Sequence, residues 1–182
     1  MAEQRTSLSS LETLSYGDVT LHCNLGKILG LDSQGKGQGS VNAGLIKSTN
    51  FNVAVKRYFI DDASEEAIRL IRHEVVLMKQ LRHENILTCI DSFASPNNME
   101  IWLISPLMEI GSMRRILDSF FPEGISESAA CPIIRDILNG LNHLHDRGIV
   151  HRALKVLQIL LFFKKKILVS VLVYYFKNQN YF

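Results

Sequence analysis

From Val19 to Ala43 the chain reads as short apolar pieces broken by Gly26, Gly30, Gly35, Gly37 and Gly39, with Gly44 just beyond. That is the pattern of strands joined by a tight glycine-rich turn. Asn52 to Ile60, NVAVKRYFI, is β-branched and aromatic, and predicts a strand that carries Lys56. Asp62 to Leu81 changes period: Ala67, Ile71, Val75 and Met78 recur at spacings of three and four, the mark of an amphipathic helix. Its acidic start (Asp61, Asp62, Glu65, Glu66) suits the positive end of a helix dipole. Ile86 to Phe93 and Glu100 to Ser105 predict two strands around a turn at Ser95 to Asn98, where Pro96 and two asparagines break the run. After Pro106 the pattern is helical. A short helix is expected over Ser112 to Phe120, then a turn at Pro122 to Gly124. A long helix follows over Ser126 to His145, with Ile133, Ile137, Leu141 and Leu144 on one stripe. If Ser126 caps that helix, Pro132 lies past its first turn and removes one backbone bond at up to about 3 kcal/mol, which leaves a later start open.

Strands first and helices afterwards predict an α+β fold. Residues 1–15 are polar and Ser/Thr-rich, and read as a frayed lead-in; no repeat of solenoid or propeller period occurs. A chain of 182 residues has room for one domain, and 47% apolar with 21% charged residues argues against wholesale disorder. The net charge of +2 is too small to make nucleic acid or an anionic membrane the default partner. Cys23, Cys89 and Cys131 have no metal-ligand spacing and read as small buried apolar residues. The start MAEQRTSLSS lacks the basic and then apolar regions of a signal peptide, so a reducing, cytoplasmic or nuclear location is expected.

Three features stand in one order: a glycine-rich turn ending Gly39-Ser-Val41, a strand lysine in Val53-Ala-Val-Lys56, and the helix residue Glu74, eighteen positions further on. With His151-Arg-Ala-Leu-Lys155 after the long helix, this order resembles the protein kinase fold, whose signatures include V-A-I-K and H-R-D-L-x-x-x-N. The resemblance implies a small antiparallel-sheet lobe with one helix, joined to an incomplete helical lobe. It also implies phosphate handling: backbone N–H groups of the glycine turn approach phosphate oxygens, Lys56 neutralises them, and Glu74 holds Lys56 in place. Met78 and His151 resemble members of the apolar stack that kinases build behind this helix. The candidate nucleotide-binding residues are Gly39, Val41, Ala54, Lys56, Glu74, Ser105 at the gatekeeper position, Leu107 and Met108 in a hinge at 106–108, and Lys155.

Departures from the signature decide the chemistry expected. Ala153 stands where the Asp would accept the substrate proton, and Gln158 where an Asn would ligate Mg²⁺. An alanine methyl accepts no proton, and a general base of this kind contributes roughly 10²–10⁴ in rate. No Asp-Phe-Gly or Ala-Pro-Glu follows in the sequence. Catalytic and metal-binding residues are therefore expected to be absent, and ATP to bind, if at all, without a well-formed Mg²⁺ site. The glycine turn departs as well: counted back from Gly39, the first two glycines of G-x-G-x-x-G fall on Gln34 and Lys36. Counted forward from Gly30, the second falls on Asp32, whose charge would repel phosphate.

Ile101-Trp-Leu-Ile-Ser-Pro-Leu-Met-Glu-Ile-Gly-Ser112, Phe120-Phe-Pro-Glu-Gly-Ile-Ser-Glu127 and Gly140-Leu-Asn-His-Leu-His145 resemble one sterile-20-like branch, the Sterile-20-related adaptor (STRAD) pseudokinases. Ala153 in place of the catalytic Asp fits that branch. The resemblance implies a catalytically inactive adaptor that binds ATP. With a scaffold of the calcium-binding protein 39 type, it allosterically activates a serine/threonine kinase of the liver kinase B type. It gives a partial kinase-like domain at 16–161, divided into an N-lobe at 16–105, the hinge, and a partial C-lobe at 109–161. Two other readings stand beside it: a fragment of an active serine/threonine kinase, and a truncated isoform with no function of its own.

The end of the chain reads as a different material. Residues 162–182, FFKKKILVSVLVYYFKNQNYF, hold seven of the fifteen aromatics; from Ala153 onward there are five lysines and no acidic residue. The longest run there without a lysine, Ile167 to Phe176, is ten residues, short of the roughly 17–25 that span a bilayer. No membrane contact is expected. Its composition is that of translated AT-rich noncoding DNA, so the tail is read as sequence past a splice junction near Leu160. VSVLVYYF within it favours a strand.

Overall fold

The β-branched run around Lys56 forms one of the two central strands of a six-stranded sheet, and the elements that follow are placed by what packs on its two faces. The computed structural model describes residues 15–16, 22–32, 39–61, 63–95, 99–151, 154, 159–162 and 166–169. Along the chain these are β1 (Ser15–Tyr16), β2 (Cys23–Asp32), β3 (Gly39–Ile46), β4 (Phe51–Phe59), α1 (Glu65–Gln80), β5 (Asp91–Ser95) and β6 (Glu100–Pro106). After them come β7 (Gly111–Ser112), α2 (Met113–Phe120), α3 (Glu127–His145), β8 (Ile159–Phe162) and β9 (Lys166–Val169). Two units divide the chain: one runs to Leu81 and takes in Thr88–Leu107, and the other takes in Arg82–Leu87 and everything from Met108.

In the first unit the sheet order is β1-β5-β6-β4-β3-β2. Its pairs are antiparallel except β1 with β5, where Ser15 and Tyr16 lie beside Phe93 and Ala94 in parallel. The lead-in thus ends as an edge strand. Alternation along β4 sorts its side chains. Val53 and Val55 point to one face, into a core with Cys23, Trp102 and Ile104, on which Ile46 and Phe93 pack. Ala54, Lys56 and Tyr58 fall on the other, the face of α1.

Helix α1 buries Ala67, Ile71, Val75 and Met78, the stripe read from the sequence, together with Glu74 and Leu77. It begins three residues later than predicted because the Ser64 hydroxyl caps it, accepting a bond from the Ala67 N–H at 3.3 Å. The predicted strand at Ile86 to Phe93 shrinks to Asp91–Ser95. The backbone before it is committed elsewhere: Ile90 still donates to the Ile104 carbonyl of β6, but the Cys89 N–H turns to the Met78 carbonyl at the end of α1. Ile86, Leu87 and Cys89 are buried as separate plugs, which gives the run the apolar look of a strand.

In the second unit, α2 and α3 start where Ser112 and Ser126 cap them. Helix α3 runs through Pro132 rather than starting after it. One lost backbone bond is tolerated because Ile133, Ile137 and Leu141 hold the helix on a core of Met113 and Ile159. Gly140 permits the closest approach to α3: a Cβ there would meet the Asn85 carbonyl oxygen at 2.9 Å. Cys131 on α3 is exposed, against the expectation of a buried apolar cysteine, whereas Cys23 and Cys89 are buried.

Strands β7, β8 and β9 form a small antiparallel sheet, with Leu160 opposite Leu168 and Phe162 opposite Lys166. The stretch read as a foreign tail from residue 162 therefore begins inside a hairpin. Its β-branched and apolar residues pair with the segment before it, and Ile159 anchors that segment in the core. Residues 170–182 lie outside the described residues. No helix among the described residues is long and apolar enough to cross a membrane.

Candidate functional site

Lys56 sits at the centre of its sheet, with Val41 of β3 on one side and Leu103 of β6 on the other. Two residues back along β4, Ala54 lies between Ala43 and Ser105; two residues forward, Tyr58 lies between Gly39 and Ile101. Register alone thus gathers Gly39, Val41, Ala54, Lys56 and Ser105 onto adjacent strands. The Ser105 hydroxyl donates to the Ala54 carbonyl at 3.4 Å, tying β6 to β4 at that level.

From α1, Glu74 meets this face. Its Oε1 accepts a hydrogen bond from Lys56 Nζ at 3.1 Å, and the two side chains are 10% and 16% exposed. A pair this withdrawn from water is weakly screened, and its geometry decides whether it repays desolvation. The spacing of eighteen residues read from the sequence is thus realised as a closed ion pair. Met78, one turn beyond Glu74, is buried.

Tyr58 completes the arrangement and was not singled out by sequence reasoning. The signal was available: residues two apart on a strand share a face, so Tyr58 had to accompany Lys56. Lys56 Nζ lies 4.7 Å from the centre of its ring. The phenol is buried beside both Lys56 and Glu74. Burial, and then the negative charge of Glu74, push its pKa well above the ordinary value, with Lys56 opposing. The folded state therefore holds this proton more tightly than the unfolded chain does. The stability Tyr58 contributes is complete below about pH 10, the unfolded value, and is lost as pH rises above it. Melting temperatures compared between the parent and Tyr58→Phe from pH 8 to 11 should diverge only above about pH 10, the parent falling more steeply.

A second cluster missed at the sequence level lies on the opposite face of the same sheet. Arg57 grips Glu100 with two bonds, Nε to Oε2 at 2.9 Å and Nη2 to Oε1 at 2.6 Å. Trp102 Nε1 donates to Glu100 Oε2 at 2.7 Å, and the guanidinium stacks near Phe59 and Trp102. This cluster fastens β4 to β6 behind Lys56.

Of the remaining predicted residues, Leu107 is half-buried at the end of the first unit's chain. Met108 is buried in the second unit, where its carbonyl accepts from the Gly111 N–H at 3.0 Å. His151 is buried in that unit too. Lys155, Ala153 and Gln158 lie outside the described residues, as does the turn at 33–38; Asp32 and Gly39 are register partners that close it. Among the described residues no three His, Cys, Asp or Glu side chains gather as a metal site. The last carboxylate in the sequence is Asp146. A cation held beside an acceptor suits a phosphate.

A strand lysine is paired to a helix glutamate, and the chain matches the protein kinase domain over residues 31–170. The chain belongs to the protein kinase domain family. Within it, the relatives include STE20-related kinase adapter protein beta of Homo sapiens, 35% identical over 109 residues, 60% of this chain and 26% of that protein. STE20-related kinase adapter protein alpha of Mus musculus is 29% identical over 131 residues, 72% of this chain and 30% of that protein. Serine/threonine-protein kinase ste20 of Aspergillus fumigatus is 34% identical over 146 residues, 80% of this chain and 16% of that protein. The chain is thus a kinase-fold protein related to the STE20 adapters and kinases, and it spans less than a third of the length of each of these relatives. The kinase match runs through the β8–β9 hairpin to residue 170.

Proposed function

We propose that this chain is the nucleotide-binding part of a catalytically inactive STE20-like adaptor, one that holds ATP without transferring its phosphate and acts by binding a partner kinase. The observation that carries the reading is a contrast within one chain. The Lys56–Glu74 pair is closed, while Ala153 replaces the proton acceptor and no carboxylate follows Asp146. Lys56, held by Glu74, supplies charge for the α and β phosphates. The other nucleotide-binding candidates are Gly39, Val41, Ala54, Ser105 and Leu107 in the first unit and, by the family motif, Met108 and Lys155 in the second. Two relatives carry the word adapter in their names, and the loss at Ala153 favours their mode of action for this protein. The partner would be a serine/threonine kinase of the liver kinase B type, bound with a scaffold of the calcium-binding protein 39 type, in the cytoplasm or nucleus.

A second reading is favoured by one fact: the ste20 kinase match covers more of this chain than the adapter matches do. One assay separates the two. The chain is incubated with radiolabelled ATP and Mg²⁺ beside a generic protein substrate, then mixed with the partner kinase and scaffold. The adaptor reading expects no labelled product from the chain alone and a rise in the partner's activity. Metal-dependent labelling that Lys56→Ala abolishes would establish the enzyme instead.

A further inference from the structure

We propose that Tyr58 is a positioning residue: its ring holds the Lys56 ammonium so that the Lys56–Glu74 pair is closed before any ligand arrives. The consequence for phosphate binding rests on the nucleotide-binding reading above.

The geometry comes from the strand itself. Lys56 and Tyr58 share the α1 face of β4, and Nζ stands 4.7 Å from the ring centre while bonding Glu74 at 3.1 Å. A lysine stem is flexible and costly to immobilise. Fixed on both a carboxylate and an aromatic face, its head has lost that freedom already, and a phosphate meets a cation in place. Desolvation raises the worth of such a contact, and here Lys56, Tyr58 and Glu74 are all mostly withdrawn from water.

Tyr58 lies level with Gly39, two residues along β4 from Lys56 and on the same face, so strand alternation alone brings its buried ring to the cation.

The test uses the whole chain without nucleotide. Selective ¹³C labelling of lysine side chains, with Lys56→Ala to assign the signal, reads the Lys56 ε-methylene shift. A ring below the ammonium moves that signal upfield of the exposed lysines in the parent and in Tyr58→Phe, and Tyr58→Leu returns it to their range. A parent signal within the exposed-lysine range overturns the proposal, and so does a Tyr58→Phe signal that falls there. If Tyr58→Leu does not fold, the parent and Tyr58→Phe spectra decide alone. ADP and adenosine are then titrated separately. Tyr58→Leu is expected to weaken ADP about three- to tenfold and leave adenosine unchanged, a loss that vanishes in the Lys56→Ala background. An equal loss for adenosine, or one that persists without Lys56, makes Tyr58 a packing residue and overturns the proposal. Failure of the parent to bind ADP, with the Lys56 signal still upfield, removes the nucleotide reading and leaves the positioning role standing.

Discussion

Replacing Glu100 by alanine should be among the most damaging single changes in the first unit, lowering stability by about 3 kcal/mol. The residue is 7% exposed and serves three donors at once: two from Arg57 and the indole N–H of Trp102. Its removal strands a guanidinium that is 23% exposed, so water recovers part of that loss. The indole fares worse, because Trp102 is 2% exposed and has no other acceptor described; a buried donor left unmade costs about 1–3 kcal/mol. Glu100→Gln should fall between, since its amide oxygen still accepts from Trp102 or Arg57. Urea unfolding of the parent, the two variants and the double replacement Arg57→Ala with Glu100→Ala measures the coupling. The double variant should be less damaged than the sum of the singles, because neither partner is left buried and alone. A midpoint for Glu100→Ala equal to the parent's would show that β4 and β6 do not depend on this cluster.

The sequence made some of this legible because its signals are local. The stripe Ala67, Ile71, Val75, Met78 could belong only to a helix, and that helix put Glu74 on the inward side. Lys56 could be placed because a β-branched strand surrounds it. What failed had a tertiary cause. Ile86 to Ile90 looked like strand because it is apolar, yet its backbone closes on the end of α1, a partner eleven residues back at Met78 for Cys89. The start of α3 was read at Ser126 and stands there, because the apolar face around Pro132 carries the helix through.

The site divides the same way. Lys56 and Glu74 were found by motif and spacing, and Ser105 by the family resemblance, which puts it at the gatekeeper position. Tyr58 and the Arg57–Glu100–Trp102 cluster went unread, although alternation along β4 required neighbouring residues 56, 57 and 58 to supply both faces. Lys56 and Tyr58 serve the α1 side, and Arg57 braces the other. A motif names the residue that meets the ligand; the residues that hold it still show only in the fold.

The largest functional effect should come from Lys56→Ala. At a hundredfold excess over its dissociation constant, a ligand that binds only the folded state stabilises it by about 2.7 kcal/mol, a rise of about 5–10 °C for a protein this size. ATP is expected to raise the parent's melting temperature in that range and to leave Lys56→Ala where it was. The variant also starts lower, because Glu74, 8% exposed, keeps a buried charge with its cation gone. Glu74→Gln separates the two consequences. Its amide oxygen still accepts from Lys56 without holding the ammonium by charge, so the baseline should fall less than in Lys56→Ala and the ATP shift should shrink without vanishing. On the adaptor reading proposed above, adding Mg²⁺ should change neither shift greatly. An ATP shift in Lys56→Ala equal to the parent's would mean that the phosphates rest on other residues, and the closed pair would then be a brace between β4 and α1 alone.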